Sequence, residues 1–424
     1  MKVLLVGHGA REHAIAAALN RSRQEPRIFA YMGIPNPGIK RIAETWAEGE
    51  LNDVEALVRF ALAVRPDFVV FGPETPLAAG AVDALKEKGI PCVGPRRELA
   101  RIETDKAFMR EFMARHLRRG YPRWWVFTEL SSLEVHLRAH PDVVLKPVGL
   151  TGGKGVRVLG RQLAGPAEAL EYARPFLERE GKILVEERLE GEEFSLMVFT
   201  DGRRVLPMPL VQDYKYAREG DTGPMTGGMG SYSCADHLLP FVSSEDFEIA
   251  LGIVEETIAK LGEVTDAPYH GVLYAQFIQT EDGPKVLEFN ARLGDPEAIN
   301  VLALLTTDPL EVFASIAAGN LVKEVEFERQ ATVCKYLVPR GYPEAPEAGH
   351  SFTLPLEELA ASGIEVYFAS VREKNGQYVT TASRSVALLA RAASPAEAKA
   401  LLNGFLQAHC PPELYYRSDI PRGW

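Results

Sequence analysis

Residues 145–156, LKPVGLTGGKGV, constrain this chain more than any other stretch. Two lysines, Lys146 and Lys154, bracket a loop that holds Gly149, Gly152, Gly153 and Gly155. Glycine lets backbone N–H groups come close to a ligand and turn through positive φ. Successive N–H groups in such a turn form a concave anion site, and the lysines add charge. Val143-Val144-Leu145 reads as a strand before the loop, and Val156-Arg157-Val158-Leu159 as a strand after it. The segment is expected to be a strand–loop–strand flap over a phosphate; a surface hairpin with incidental lysines is the alternative. It is not a GxxxxGK[ST] nucleotide loop, because Gly155 follows Lys154 and no helix comes next.

A chain of 424 residues exceeds one ordinary core and is expected to divide into about two to four domains. Its hydrophobic fraction of 46% is that of a globular protein, and no apolar run approaches a membrane span. The N-terminus enters a strand with no signal-peptide pattern. Cys92, Cys234, Cys334 and Cys410 form no CxxC pair, so neither a zinc site nor a disulfide framework is indicated, and a reducing cytoplasm fits. A net charge of −11 argues against a nucleic-acid partner held by phosphate neutralisation.

The chain opens on KVLLV (residues 2–6), then GHGAREH and a helix with alanine and leucine at helical spacing. Strand, glycine turn, helix is the first unit of a doubly wound α/β domain. Glu12 stands where a dinucleotide fingerprint has its third glycine, which argues against a pyrophosphate there. Arg11 and the helix N-terminus can still hold one phosphate, with a plain tight turn as the alternative. Residues 27–31 and 68–71 read as further strands, and Asn52 or Asp53 as the cap of a helix running to Val64. GPETPL follows a buried strand and so lies at the carboxyl edge of the sheet, where ligands bind; Glu74 is a site candidate there, or a helix cap. This domain is expected to close near residue 100. Residues 104–116 read as one helix with Lys106 in its first turn, where a cation opposes the helix dipole unless an anion is near.

Beyond the flap, a helix over 166–180 leads to KILVEERLEGEEFSL. Its buried strand runs into Glu186, Glu187, Glu190, Glu192 and Glu193, read as a hinge between two subdomains rather than a solvated face. QDYKYAREGDTGPMTGGMGSY (212–232) has too few apolar residues for a strand or helix and is expected as a long substrate-contacting loop. Ser244 is expected to cap a helix ending near Leu261. In KVLEFNARLGDPE (285–297), Glu288 and Asn290 lie two apart on a strand and share a face. A carboxylate and an amide oxygen so placed suit a hard cation such as Mg²⁺; an exposed edge face is the alternative. Arg292 follows on that face. From about residue 330, ATVCKYLVPRGYP, IEVYFASVRE and YVTTASRSVALLA are strand-like, and Ser394-Pro395-Ala396-Glu397 opens a final helix as a capping box.

A phosphate flap, an acidic hinge and a carboxylate–amide–arginine strand, in that order, resemble the ATP-grasp architecture. GHGAREHA, GPETPL, LTGGKGV, GDTGPMTGGMGSY and EFNARLGDPE narrow the resemblance to the phosphoribosylamine–glycine ligase family, along essentially the whole chain. The resemblance implies a Rossmann-like N-terminal domain (1–100), an ATP-grasp domain of two subdomains (101–325, flap about 125–192) and a small α+β C-terminal domain (326–424). It implies a carbon–nitrogen ligase that joins glycine to 5-phosphoribosylamine through glycyl phosphate, using ATP with Mg²⁺ or Mn²⁺. A cytoplasmic monomer or homodimer, without nucleic-acid or membrane partners, goes with it. By the same resemblance Lys106, Lys146 and the loop with Gly152, Gly153, Lys154 and Gly155 would hold the ATP phosphates. Glu186, Glu187 and Leu189 would meet adenine, and Glu193 the ribose. Glu288 and Asn290 would bind the metal, and Arg292 would stabilise the acyl phosphate. Asp213, Lys215, Gly227, Gly228 and Asp295 would shape the glycine and acyl-phosphate pocket, and Gly9, Arg11 and Glu74 would face phosphoribosylamine. The flap begins KPVGL where commoner bacterial members have KADGL, and VCKYLVPRGYP and TTASRSVA also depart from the usual bacterial pattern. Rival readings are another ATP-grasp ligase or carboxylase, an NAD-linked oxidoreductase built on the first domain, and a non-catalytic nucleotide sensor.

Overall fold

The computed structural model describes residues 1–152 and 155–424, so Gly153 and Lys154 of the flap lie outside the described residues. Strands Lys2–Val6, Arg27–Met32, Thr45–Glu48, Phe68–Phe71 and Cys92–Val93 form a parallel sheet in the spatial order third, second, first, fourth, fifth. Helices cover it, so its central strands are apolar on both faces and Val3–Val6 and Phe68–Phe71 are buried throughout. Asp53 caps the helix Val54–Val64 by accepting from the Ala56 N–H at 2.9 Å. The strand order reverses between Lys2–Val6 and Phe68–Phe71, and these two strands pair directly. Their trailing turns, Gly7–Arg11 and Gly72–Glu74, are thereby set side by side at the switch point where α/β sheets bind ligands.

The helix expected over 104–116 is Lys106–His116; Thr104 closes a separate helix, Arg97–Thr104. Asp105 breaks them with an extended backbone and caps the second by accepting from the Phe108 N–H at 2.9 Å. The cap places Lys106 at the first position of a new helix, where its N–H donates to the Val148 carbonyl at 3.0 Å.

The flap sheet runs Trp124–Phe127, Ile183–Glu187, Val143–Pro147, Arg157–Val158. It has its own small core of Leu133, Leu137, Val143, Leu145, Ala169, Ile183 and Val185. The strand expected over 156–159 is only Arg157–Val158. A second, antiparallel sheet runs Val205–Pro207, Glu192–Thr200, Gly271–Thr280, Gly283–Asn290. Its last pairing shifts register: Gln276 faces Glu288 but Phe277 faces Val286, so Leu287 is a bulge.

Segment 212–232 departs from expectation. It contains strands Gln212–Asp213, Tyr216–Arg218, Thr222–Met225 and Gly230–Ser233. The first and last join the sheet of the C-terminal strands Ala331–Pro339, Val386–Ala392 and Ile364–Phe368. The strand-like segments IEVYFASVRE (364–373) and YVTTASRSVALLA (378–390) are each split. Ile364–Phe368 and Val386–Ala392 enter that sheet, while Val371–Lys374 and Gln377–Thr380 form a hairpin in a smaller one. Ser243, not Ser244, caps the long helix, which runs Ser244–Thr265. Ser394 caps Pro395–His409 as expected. No helix among the described residues is long and apolar enough to cross a membrane.

Candidate active site

A cavity of about 1440 Å³ is walled by the flap sheet, one face of the antiparallel sheet, segment 212–232 and the two switch-point turns. Gly9, Arg11 and Glu74 line it from the turns, and Lys106, Lys146 and Gly152 from the flap side. Glu186, Glu187, Leu189 and Glu193 line it from the hinge. Asp213, Lys215, Gly227, Glu288, Asn290, Arg292 and Asp295 complete the wall. Gly155 and Gly228 do not line it; the Gly155 carbonyl accepts from the Tyr172 hydroxyl at 2.5 Å.

The flap side is held by a buried trio. Glu186 accepts from Arg110 through Nε at 2.6 Å and Nη2 at 3.1 Å, and pairs with Lys146 Nζ at 2.7 Å. The bulge at Leu287 turns its carbonyl toward the same group, where it accepts from Arg110 at 2.8 Å and Lys146 at 3.2 Å. Burial alone would raise the Glu186 carboxyl, but Arg110 and Lys146 outweigh it and hold it below the usual range. Glu186 is thus not part of a solvated acidic face; its carboxylate is committed to Arg110 and Lys146, and its backbone lies on an inner strand of the flap sheet. Glu187 is likewise tied to Arg123, at 2.6 Å. Lys106 donates to the Gly149 carbonyl at 3.0 Å. Burial lowers its pKa, the Glu288 carboxylate opposing, so an anion in the cavity would favour its charged form.

The floor follows from the period of a strand. Glu193 and Ser195, Gln276 and Tyr274, Glu288 and Asn290 share one face of the antiparallel sheet, across the pairings Ser195–Gln276–Glu288. Burial would raise Glu288, but Lys215, Lys106, Lys146 and Arg292 together hold it below the ordinary carboxylate range. It therefore stays an anion among cations. Asn290 Oδ1 accepts from Arg292 Nη2 at 3.1 Å. Arg292 also pairs with Glu103 at 3.0 Å and Glu74 at 3.2 Å, and these carboxylates raise its pKa against burial. Glu103, missed in the sequence, is buried and pushed up to about 7 by burial, with Arg292 pulling the other way. It accepts from both Arg292 and the Ala291 N–H, at 2.7 Å, which is the geometry of a carboxylate. It fixes the backbone between Asn290 and Arg292.

Among the described residues no group of three or more His, Cys, Asp or Glu is placed to hold a metal alone. The donor types of Glu288 and Asn290 fit a hard cation, whose remaining ligands would have to come from elsewhere.

Segment 212–232 brings Lys215 Nζ to Glu193 at 2.8 Å and Asp213 at 3.9 Å. Burial lowers Lys215, but Asp213, Glu193 and Glu288 raise it further, so it remains charged. Burial holds Asp213 above the usual carboxylate range, Lys215 opposing. Arg384, which no motif singled out, ties this segment down. It donates to the carbonyls of Gly227 at 2.7 Å, Gly228 at 3.0 Å and Asp295 at 3.2 Å, and pairs with the Asp295 carboxylate at 3.0 Å. Tyr336 donates to the other Asp295 oxygen and lies under the Arg384 guanidinium, 4.2 Å from ring centre to Cζ.

At the first turn Glu12 determines which donors remain for a ligand. Glu12 is buried and turns inward, accepting from the Gly9 N–H and from Arg11 Nε, both at 2.5 Å. A Cβ on Gly72 would meet its carboxylate at 2.0 Å, so glycine is required there. Arg11 Nη1 donates to the Leu293 carbonyl at 3.1 Å. The Gly9 amide and two of the arginine's donors are thus satisfied within the protein. Arg11 can meet a phosphate only through what remains of its guanidinium, while steadying the backbone beside Arg292.

Comparison with known proteins agrees with this geometry. Models of phosphoribosylglycinamide synthetase match as N domain over residues 1–103, as ATP-grasp (A) domain over 104–298 and as C domain over 332–423. The phosphoribosylamine–glycine ligase of Methanocella arvoryzae is 48% identical, covering 99% of this chain and 96% of its own. That of Pyrococcus abyssi is 45% identical, covering 99% and 94%. The crystal structure of the phosphoribosylamine–glycine ligase of Thermotoga maritima superposes with TM-score 0.82 at 28% identity, covering 99% of this chain and 100% of that one. The biotin carboxylase domain of Hydrogenobacter thermophilus 2-oxoglutarate carboxylase, solved with MgADP and bicarbonate, shares the fold with TM-score 0.77 at 17% identity, covering 98% and 91%. With a parallel sheet, a flap and a polar strand face enclosing one cavity, and matches spanning nearly its full length, this chain belongs to the phosphoribosylglycinamide synthetase family of ATP-grasp proteins.

Proposed function

We propose that this cavity joins glycine to 5-phosphoribosylamine, with ATP going to ADP and phosphate, and releases glycinamide ribonucleotide. The observation that carries the reading is the convergence of two lysines, Lys106 and Lys146, with Glu288, Asn290 and Arg292 around one cavity. Lysines from the flap side and hard oxygen donors from the floor together suit a triphosphate lying between them. ATP would lie with its base at the backbone of Glu186–Leu189 and its ribose at Glu193, and its phosphates would be met by Lys106, Lys146 and the flap loop. Glu288 and Asn290 would hold Mg²⁺ or Mn²⁺, which when bound neutralises charge on the β- and γ-phosphates.

The glycine carboxylate attacks the γ-phosphorus; the P–O bond to ADP breaks and glycyl phosphate forms. Arg292, kept charged by Glu74 and Glu103, faces the growing negative charge. Lys215, from segment 212–232, adds a second fixed cation. The amine of phosphoribosylamine then attacks the acyl carbon and phosphate departs. No protein nucleophile is required. The residues position reactants and stabilise charge in a site the flap can close to water.

Phosphate release from ATP, measured with and without glycine and freshly generated phosphoribosylamine, tests the reading. Release that depends on both, with glycinamide ribonucleotide formed mole for mole, is expected. ATP turnover indifferent to glycine, or none at all, would remove the ligase assignment.

A further inference from the structure

The C-terminal segment carries a buried network that the reaction above leaves unused. Arg417 is fully buried. Its guanidinium meets both oxygens of Asp419 at 2.9 and 2.7 Å, the Tyr216 carbonyl at 2.9 Å and, as an ion pair, Asp221 at 2.9 Å. Lys335, equally buried, donates to the carbonyls of Arg417 at 3.0 Å and Ser418 at 2.8 Å. Arg422 pairs with the second oxygen of Asp221, and its N–H donates to the Tyr214 hydroxyl at 3.0 Å. These groups tie the segment to the loop that carries Asp213 and Lys215. A buried charge is costly unless paired, so these pairings fix the path of the chain.

Past that anchor, Arg422, Gly423 and Trp424 reach the cavity wall. The Trp424 ring stands edge-on to Tyr232, centroids 6.2 Å apart. Tyr232 pairs with Gln212, whose amide donates to Glu192 at 3.2 Å. Glu192 opens the strand that leaves the hinge. An indole, a guanidinium and the hinge therefore form one continuous wall. Aromatic faces and guanidinium planes are groups that bind a purine nucleoside by stacking and cation–π contact.

We propose that residues 417–424 form a strap that completes the nucleoside end of the cavity, with Arg422 and Trp424 touching the nucleotide and Arg417, Lys335 and Asp221 positioning them. The proposal rests on reading the cavity as an ATP site. The Arg422 side chain is 52% exposed and Trp424 41% exposed, so truncating either opens no core.

The test uses ADP with Mg²⁺, a probe that needs neither glycine nor phosphoribosylamine. Trp424→Ala and Arg422→Ala are each expected to weaken ADP binding about tenfold in calorimetry, a loss on the scale of one cation–π or stacking contact. In turnover the KM for ATP rises and the KM for glycine stays within about twofold. Trp424→Phe recovers most of the affinity, which a purely structural role for the side chain would not require. ADP affinity unchanged in both alanine variants overturns the strap, as does an equal rise in KM for all substrates. Wild-type protein that binds ADP but forms no ligated product would sink the ligase reading instead, with the ADP comparison still deciding the strap.

Discussion

Replacing Glu186 by glutamine keeps the side chain's shape and removes one charge from a buried group of three. The side chains of Arg110, Lys146 and Glu186 are 0%, 8% and 3% exposed, so water screens them little. In the wild type the trio carries a net charge of +1; in the variant it carries +2, and the amide turns an N–H₂ group toward one of the cations. At an effective dielectric of about 20, each pair below 3 Å represents roughly 6 kcal/mol of Coulomb attraction. Most of that is offset by the desolvation the carboxylate no longer suffers, and breaking one partner of such a group costs about 3–5 kcal/mol net. The loss is local. Glu186 lies on strand Ile183–Glu187, Lys146 on Val143–Pro147 and Arg110 on helix Lys106–His116, and both cations also donate to Leu287 of the other sheet. The trio is therefore the pin between flap and floor. Amide hydrogen exchange is the assay, because it reads local opening in a multidomain chain where one global unfolding energy is not defined. Exchange in the two flap strands should quicken by about two to four orders of magnitude. The pH dependence supplies the sign. The folded pKa of Glu186 lies below its unfolded value, so its contribution is full above the ordinary carboxylate pKa and is lost as pH falls through the depressed one. Wild-type flap protection should drop in that acid window, and the variant should show no such step. Exchange in both strands within about threefold of wild type at neutral pH would refute the pin.

Glu288→Gln removes the only charged oxygen of the proposed cation pair; turnover should fall by about two to three orders of magnitude, and Mn²⁺ should bind the ADP complex more weakly by electron paramagnetic resonance. Wild-type activity would withdraw the assignment. Arg384→Met keeps much of the bulk but loses the donors that hold Gly227, Gly228 and Asp295; kcat with saturating ATP should drop about tenfold to a hundredfold while ADP affinity is unchanged. Arg11→Ala should raise the KM for phosphoribosylamine and lower kcat, since Arg11 also steadies the Leu293 carbonyl beside Arg292, and should leave the KM for ATP nearly unchanged. An equal rise in both KM values would count against it.

What could be read from the chain and what could not divide along a physical line. Glu288 and Asn290 were legible because strand alternation is local: two residues apart on a pleated backbone must share a face. The bulge just before them was not, since Leu287 is set off only by its pairing with the distant strand Gly271–Thr280, and it is this bulge that turns a carbonyl to Arg110 and Lys146. In the motif Glu12 counts only as a missing third glycine, an argument against a pyrophosphate. In space its carboxylate is the partner of the turn's own N–H and of Arg11.

Segment 212–232 failed as a secondary-structure reading for a related reason. Its strands carry no alternating apolar pattern because they are not held by burying one. Gly230–Ser233 is held by pairing with Ala331–Pro339, far along the chain, and Gln212–Asp213 by pairing with Gly230–Ser233. Arg384 and Arg417 then fasten it from the same C-terminal part, with Lys335 holding the Arg417 backbone. A loop stabilised by backbone pairing and buried cations needs glycines and carbonyls in the right places rather than hydrophobic side chains, so hydrophobic periodicity has nothing to report there. The same construction explains why its site residues can be polar: Asp213, on Gln212–Asp213, and Lys215, just past that strand, face the cavity while the pairing that holds the strand belongs to the sheet of the C-terminal strands.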